Sequence, residues 1–384
     1  MKTRMTVLHT EWSRGWGGQE LRILEESREF LRRGYRMALM CKSGAPIYHA
    51  ALKQGIPVTT APFLSPLDWN TVSVLTRYVR EHRVDVIHSH SSVDGWCAAL
   101  AAVVAGVPVV RSRHISAPLG NGILTRWYYT YLVDHVITSA EAIRQRMIVV
   151  NGLDPDRIVA VPAGVNEHRF RTGVDPTRVR NELGFPREAF LVGIVAVLRS
   201  WKGHKVLFEA VRKLREQIPT LRLLVVGDGP YKEELVKWAQ ELGIRDSVVF
   251  TGFREDVPEL LSLMKVFVLP STGNEATSQV IPQAMLCGVP VVASTAGGLT
   301  EVVRHRETGL LVPPGDPVAL ADAVYALYKE PSEAARLAGT ALGAAREHWT
   351  LGGMIRKTDS VYSQVVRENP KACLSSRVRR SRLK

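Results

Sequence analysis

The chain has 384 residues, 46 % of them hydrophobic, and a net charge of +13, which is length enough for two domains that each bury a sizeable core. No run approaches the roughly 20 apolar residues of a membrane span, and the opening MKTRMTVLHTEW has no apolar signal region. The cysteines at 41, 97, 287 and 373 have neither CxxC nor zinc spacing, which excludes a disulfide scaffold and points to reduced core thiols in the cytosol.

Short β-branched runs alternate with helical patterns along the whole chain. In the first half, MTVLHT, RMALMC, VDVIHSH, VPVVRSR and DHVITSA read as strands, and residues 19–33 read as a helix. Between the first strand and that helix stand Gly15, Gly17 and Gly18. They fit a plain tight turn, or a turn whose backbone N–H groups approach an oxyanion at the helix N-terminus. The spacing is not that of a dinucleotide fingerprint. In VDVIHSHSSVDGW, His88 and His90 share one strand face, with His90 at the carboxyl end of the strand. A zinc site needs further ligands than these two. A buried structural histidine and a contact to a polar substrate are both open for His90.

The polar, Gly- and Pro-containing PAGVNEHRFRTGVDP marks a break, dividing an N-terminal domain, 1–167, from a second, 168–345. The second half offers the strands FLVGIVAVL, LRLLVVGDG, VVFTG, KVFVLPS and VPVVAST, and a helix over 203–217. Arg199, Lys202 and Gly203 lie between the first of these strands and the helix, where a fork-shaped and a point cation suit phosphate; solvated surface cations are the alternative. Gly227, in VVGDGP, is a second strand-to-helix turn at the same edge. In GNEATSQVIPQAMLCGVPVV, residues 277–286 read as a helix, so that Glu275 either caps it or accepts hydroxyls while the amides of Thr277, Ser278 and Gln279 hold phosphate. Gln283 follows Glu275 by eight residues, a little over two helical turns.

The phrase AGVPVVRSR at 105–113 returns as CGVPVVAST at 287–295, and more loosely as QGIPVTTAP at 54–62. Each reads as a helix ending in Gly, then Pro, then a strand. Two doubly wound parallel-sheet domains facing a central cleft are therefore expected, with ligands at the carboxyl ends of the strands. A last helical stretch over 331–366 is expected to return, through 346–366, to the N-terminal domain.

Charge is uneven: residues 1–180 hold 23 Lys/Arg against 15 Asp/Glu, and the tail 367–384 holds seven basic residues and one acidic. The tail has no aromatics for stacking on bases and there is no DNA-reading motif. A solvated end or an anionic membrane surface fits it better than nucleic acid.

Together, the glycine pair, His90, Lys202 and above all 266–313, VFVLPSTGNEATSQVIPQAMLCGVPVVASTAGGLTEVVRHRETGLLVPPGDP, resemble the retaining, nucleotide-sugar-dependent glycosyltransferases of family four, whose fold is GT-B. The resemblance spans roughly residues 5–365. It implies transfer of a sugar from a nucleotide-diphosphate sugar to a hydroxyl, with retention and with neither metal nor cofactor. It places Gly17 and Gly18 near the donor phosphate, His90 at the transferred sugar, Lys202 at the diphosphate, Glu275 at the donor-sugar hydroxyls and Gln283 at the ribose. By family association the acceptor is a glycan or lipid-linked sugar in lipopolysaccharide or other cell-envelope synthesis. The protein is then cytoplasmic, or peripheral at the inner face of the plasma membrane. Two positions depart from the family pattern. Val197 stands where an arginine is usual, with Arg199 two residues on, and Gln283 stands where a carboxylate is usual. A 2-epimerase of the same fold and a non-catalytic sugar-nucleotide binder are the competing readings; the first fits the Gly-pair, Lys and Glu set less well, and the second would bind donor without turnover.

Overall fold

The computed structural model describes residues 5–114, 119–273 and 275–369. The chain forms two units, one running to Gly164 and resuming at Leu351, the other spanning Val165–Thr350. Among the described residues no helix is long and apolar enough to cross a membrane.

In the first unit, strands β1 (Thr6–Glu11), β2 (Arg36–Cys41), β3 (Val58–Thr60), β4 (Val86–Ser89), β5 (Val109–Arg113), β6 (His135–Thr138) and β7 (Ile158–Ala160) make one sheet in the order β3-β2-β1-β4-β5-β6-β7. Every pairing is parallel. The second unit contributes β8 (Phe190–Val195), β9 (Leu221–Val226), β10 (Val248–Gly252), β11 (Val266–Leu269), β12 (Val291–Ser294) and β13 (Leu310–Val312), ordered β10-β9-β8-β11-β12-β13 and again parallel. Continuous Val/Leu/Ile runs are what a sheet covered on both faces requires. Winding outward from β1 and from β8 leaves a switch point between β1 and β4 in one sheet and between β8 and β11 in the other, where the loops part and a ligand is admitted.

The repeated GVPVV phrase falls on the same strand of each winding, the fifth. Gly106 and Gly288 both close helices with left-handed backbone, φ 78° and 74°, and the proline two residues later leads into β5 and β12. Two strands fall outside the sequence expectations, β7 and β13. Each has three residues and lies at a sheet edge, too short to set up a recognisable alternation.

The helical stretch expected over 331–366 is two helices, Pro331–His348 and Leu351–Glu368. The chain leaves helical geometry at Trp349 and Thr350 because that backbone pairs with Val165, whose N–H donates to the Trp349 carbonyl at 2.8 Å. The last helix belongs to the first unit. Its Leu351, Met354, Ile355, Val361, Tyr362 and Val365 pack on Val7, Phe30, Val86 and Val110. Cys41, Cys97 and Cys287 are buried and free; Cys373 and all but the first three residues of the basic tail lie outside the described residues.

Candidate active site

In the second unit the switch point gathers the loops after β8 and β11. The Thr272 N–H donates to the Trp201 carbonyl at 2.8 Å, tying the two loops side by side. Lys202 Nζ consequently reaches Glu275 Oε1 at 2.6 Å across 73 residues of sequence. Ser271 Oγ donates to the same carboxylate oxygen at 2.7 Å, and Ser271 is fixed in turn by Ser294 Oγ donating to its carbonyl. Glu275 is buried and Lys202 partly exposed, so the ammonium is the more accessible half of the pair.

Gly203 follows Lys202 with φ 75°, and a Cβ there would stand 1.9 Å from the Pro270 carbonyl oxygen. Only glycine lets the β8 loop lie against the β11 loop. At Gly227, φ is 131° and a Cβ would stand 2.0 Å from the Ala196 oxygen; it holds the β9 loop on the β8 loop in the same way. Arg199 is exposed, its guanidinium 5.1 Å from the Trp201 ring centroid, a cation–π contact.

The expected helix at 277–286 begins three residues later, at Val280. Thr277, Ser278 and Gln279 are the approach to the helix, not its first turn, and Glu275 does not cap it. The two-turn spacing from Glu275 to Gln283 therefore does not hold, since only residues from Val280 on are helical. Pro282, the third helical residue, lacks an N–H and is best tolerated in a first turn; it was the signal for the true start. Gln283 is partly exposed on this helix.

In the first unit the loop after β1 is organised by a residue that the sequence reading passed over. Glu11, fully buried, accepts from the Ser13 N–H at 2.7 Å, from Ser91 Oγ at 2.7 Å and from the Gln19 side chain. Burial raises its carboxyl above the usual range despite these donors. Asp94 is also raised, by burial and then by Glu11, while it accepts from Thr10 Oγ1 and the His90 N–H, each at 2.9 Å.

His90 is buried, with both ring nitrogens engaged: Nε2 lies 2.8 Å from His9 Nδ1, and Nδ1 lies 3.0 Å from His114 Nε2. His9, in register with His88 on the neighbouring strand, is the third histidine that two residues of one strand could not disclose. His9, His88 and His90 bring ring nitrogens within 4.8 Å of one another. The 2.8 Å approach of His9 to His90 is a hydrogen-bond distance, shorter than the roughly 3.3 Å separating two nitrogens bound at about 2.0–2.1 Å to one tetrahedral metal.

Residues 16–169 match the family model described as Glycosyltransferase Family 4, and residues 175–342 match that described as glycosyl transferases group 1. The chain is 32 % identical over 324 residues to the D-inositol 3-phosphate glycosyltransferase of Acidothermus cellulolyticus, covering 77 % of this chain and 71 % of that one. This chain belongs to the family 4 glycosyltransferases. The protein of the same name from Stackebrandtia nassauensis is 35 % identical over 292 residues, covering 69 % of this chain and 65 %, just under two thirds, of that relative's length. The structure of Anabaena HepE in complex with UDP matches with a TM-score of 0.84 at 24 % identity, covering 94 % of this chain and 100 % of that one. The two parallel-sheet units are thus the GT-B fold of family 4.

Within this family 4 chain, Gly17 and Gly18 have no internal need to be glycine. Gly17 is extended at φ −177°, and a Cβ on Gly18 would meet nothing within 4 Å. Their small size leaves room for something outside the chain. Gly18→Ala, at the first position of the helix Gly18–Arg32, should leave the melting temperature unchanged or slightly raised. The same change should weaken nucleotide-sugar turnover at least tenfold if the turn admits a ligand. Unchanged turnover would make this an ordinary turn.

Proposed function

We propose that this family 4 glycosyltransferase moves a sugar from a nucleotide-diphosphate sugar, with retention and without a metal, to a hydroxyl of a glycan or lipid-linked acceptor. The setting proposed is bacterial cell-surface polysaccharide or lipopolysaccharide synthesis at the cytoplasmic face of the membrane. The observation that carries this reading is the Lys202–Glu275 pair at the β8/β11 switch point. It sets an accessible ammonium, suited to a leaving diphosphate, beside a buried carboxylate suited to sugar hydroxyls. UDP in the HepE structure supports a nucleotide-borne donor. With the departing diphosphate able to take the acceptor's proton, the protein's task is to position the reactants and stabilise developing charge.

Support for a membrane-associated acceptor comes from the helix Ile123–Trp127 and the π-helical turn Tyr128–Leu132 that continues it. Ile123, Leu124, Trp127 and Tyr131 are exposed at 86, 72, 44 and 69 % and follow helical spacing along one face, with Arg126 exposed among them. An apolar, aromatic and basic face suits an anionic interface.

Thermal shift against UDP-, GDP- and ADP-sugars tests the donor, since a ligand that binds the folded state raises the melting point by mass action. One class should stabilise the protein; no shift with any of the three would sink the reading. In the same assay Gln283→Ala should weaken binding of the matching nucleoside diphosphate by roughly 1–2 kcal/mol, and Glu275→Ala should spare it. Sedimentation with anionic vesicles, weakened by Trp127→Ser, checks the exposed face.

A further inference from the structure

Four glutamates are buried among the described residues, Glu11, Glu20, Glu26 and Glu275, and three of them accept hydrogen bonds inside the fold. Glu275 accepts from Lys202 and Ser271. Glu26, on the helix Gly18–Arg32, accepts from the Tyr362 hydroxyl at 3.0 Å. Both oxygens of Glu11 are taken, one by the Ser13 N–H and Ser91 Oγ, the other by Gln19. Glu20 is the exception. It is 4 % exposed, yet among the described residues it has neither a hydrogen-bond donor nor an ion partner. A carboxylate held that way is costly to the fold.

Glu20 is the third residue of its helix, after the N-cap Gly17, then Gly18 and Gln19. A glutamate at this position commonly turns back to the N–H of the N-cap, and this one does not. Its carboxylate lies beside the glycine turn instead. Oε1 is 3.9 Å from where a Cβ on Gly15 would stand, and Oε2 is 3.8 Å from where one on Gly17 would stand. Both oxygens reach solvent, whereas Glu26 Oε2 is sealed. The N–H groups of Gly17 and Gly18 have no acceptor among the described residues either, as is usual for the first amides of a helix. Glu20 also faces Glu11, whose carboxyl is raised by burial and further by the charge of Glu20.

Free donors and a free acceptor thus share one turn. An anionic ligand would satisfy the amides but meet the carboxylate as a like charge. A metal ion would find a single free carboxylate, where calcium takes about six to eight oxygens. A sugar hydroxyl donates and accepts at once. Trp16, 40 % exposed between Gly15 and Gly17, adds an aromatic surface for the apolar side of a ring. We propose that this turn is a sugar subsite, in which Glu20 accepts from a hydroxyl while the Gly17 and Gly18 amides donate to an oxygen of the same sugar. This rests on the glycosyl-transfer reading, and it takes the turn away from the donor phosphate.

With 13C-labelled glutamate carboxyls in the full chain, the Glu20 signal is assigned by its loss in Glu20→Gln. Glucose, galactose, mannose and N-acetylglucosamine are titrated in turn, and at least one should move that signal; pyrophosphate should not. No movement with any of these sugars, or movement with pyrophosphate, overturns the proposal. Glu20→Gln should keep or raise the melting temperature, since it breaks no bond in the fold and removes a buried charge. A fall of several degrees would make Glu20 part of the helix cap and overturn the proposal as well. The variant should bind the responding sugar about tenfold more weakly, the scale of a charge-assisted hydrogen bond. The nucleotide sugar that stabilises the protein then tells the two possible sugars apart. A tenfold loss for it but not for its nucleoside diphosphate assigns the subsite to the donor's sugar, and no loss for either assigns it to the acceptor. Tighter binding of the diphosphate by the variant would make the turn a phosphate site and overturn the proposal. The free-sugar titration needs no turnover, so a chain that binds no nucleotide sugar fails the functional reading alone.

Discussion

Lysine 202 replaced by alanine is expected to lower turnover by roughly 30- to 1,000-fold, the 2–4 kcal/mol typical of one group that stabilises developing charge. The same substitution should also weaken the fold, because Glu275 is buried and loses a partner at 2.6 Å. Breaking a well-buried pair costs about 3–5 kcal/mol, and the remaining Ser271 donor and the partial exposure of Lys202 bring the expected cost to about 1–3 kcal/mol. The two effects separate in the double variant Lys202→Ala with Glu275→Gln. A neutral amide can still accept from Ser271, so stability should recover most of its loss. Activity should not recover, since no ammonium faces the diphosphate. Denaturant melts and steady-state kinetics on the three proteins measure this. A double variant that regains turnover would show the lysine to be structural only.

Mild acid should melt the first unit well before the second. His9 is held down at about 3 and His135 at about 4, chiefly by burial, and His88, His90 and His114 are lowered for the same first reason. All five are in the first unit; in the second unit His204, at about 4, is comparable. A histidine depressed in the fold contributes stability that is complete above its unfolded value of 6.5 and is lost as pH falls towards the folded value. The raised Asp94 and Glu11 act the opposite way, keeping protons that the unfolded chain releases, but the five imidazoles outnumber these two carboxyls. Each net proton taken up on unfolding adds about 1.4 kcal/mol per pH unit, roughly 3–6 °C per pH unit for a unit of this size. Scanning calorimetry at pH 7, 5.5 and 4.5 should show the first-unit transition moving steeply and the second, which carries His204, moving less. A first-unit transition that moves less than about 2 °C would show that these imidazoles are already protonated in the fold.

Most of the sheet was legible from sequence because buried parallel strands announce themselves as unbroken Val, Ile and Leu runs between Gly and Pro punctuation. Lys202 and Glu275 were legible as separate loop residues next to glycines, but their pairing depends on how β8 and β11 sit side by side. The start of the helix at Val280 was misplaced because Thr277, Ser278 and Gln279 resemble a helix entrance, while Pro282 fixed the first turn three residues further on. His9 was invisible as a site residue inside MTVLHT, where one histidine among apolar neighbours carries no pattern. Glu26 and Tyr362 are 336 residues apart, and no local signal joins a mid-helix glutamate to a tyrosine of the last helix.

The position of that tyrosine bears on the order in which the protein can be finished as it is made. All of Val165–Thr350 is translated between the last strand of the first unit and the helix that completes it. The second unit can fold on the ribosome while Val7, Phe30 and Val86 still lack their cover and Glu26 its phenol. The first unit's interior closes only after residue 362 has emerged, and until then its apolar face is open to chaperones. A chain stopped at Thr350 would carry every strand of both sheets, yet its first unit should bind a hydrophobic dye and be cleaved by protease while the second resists.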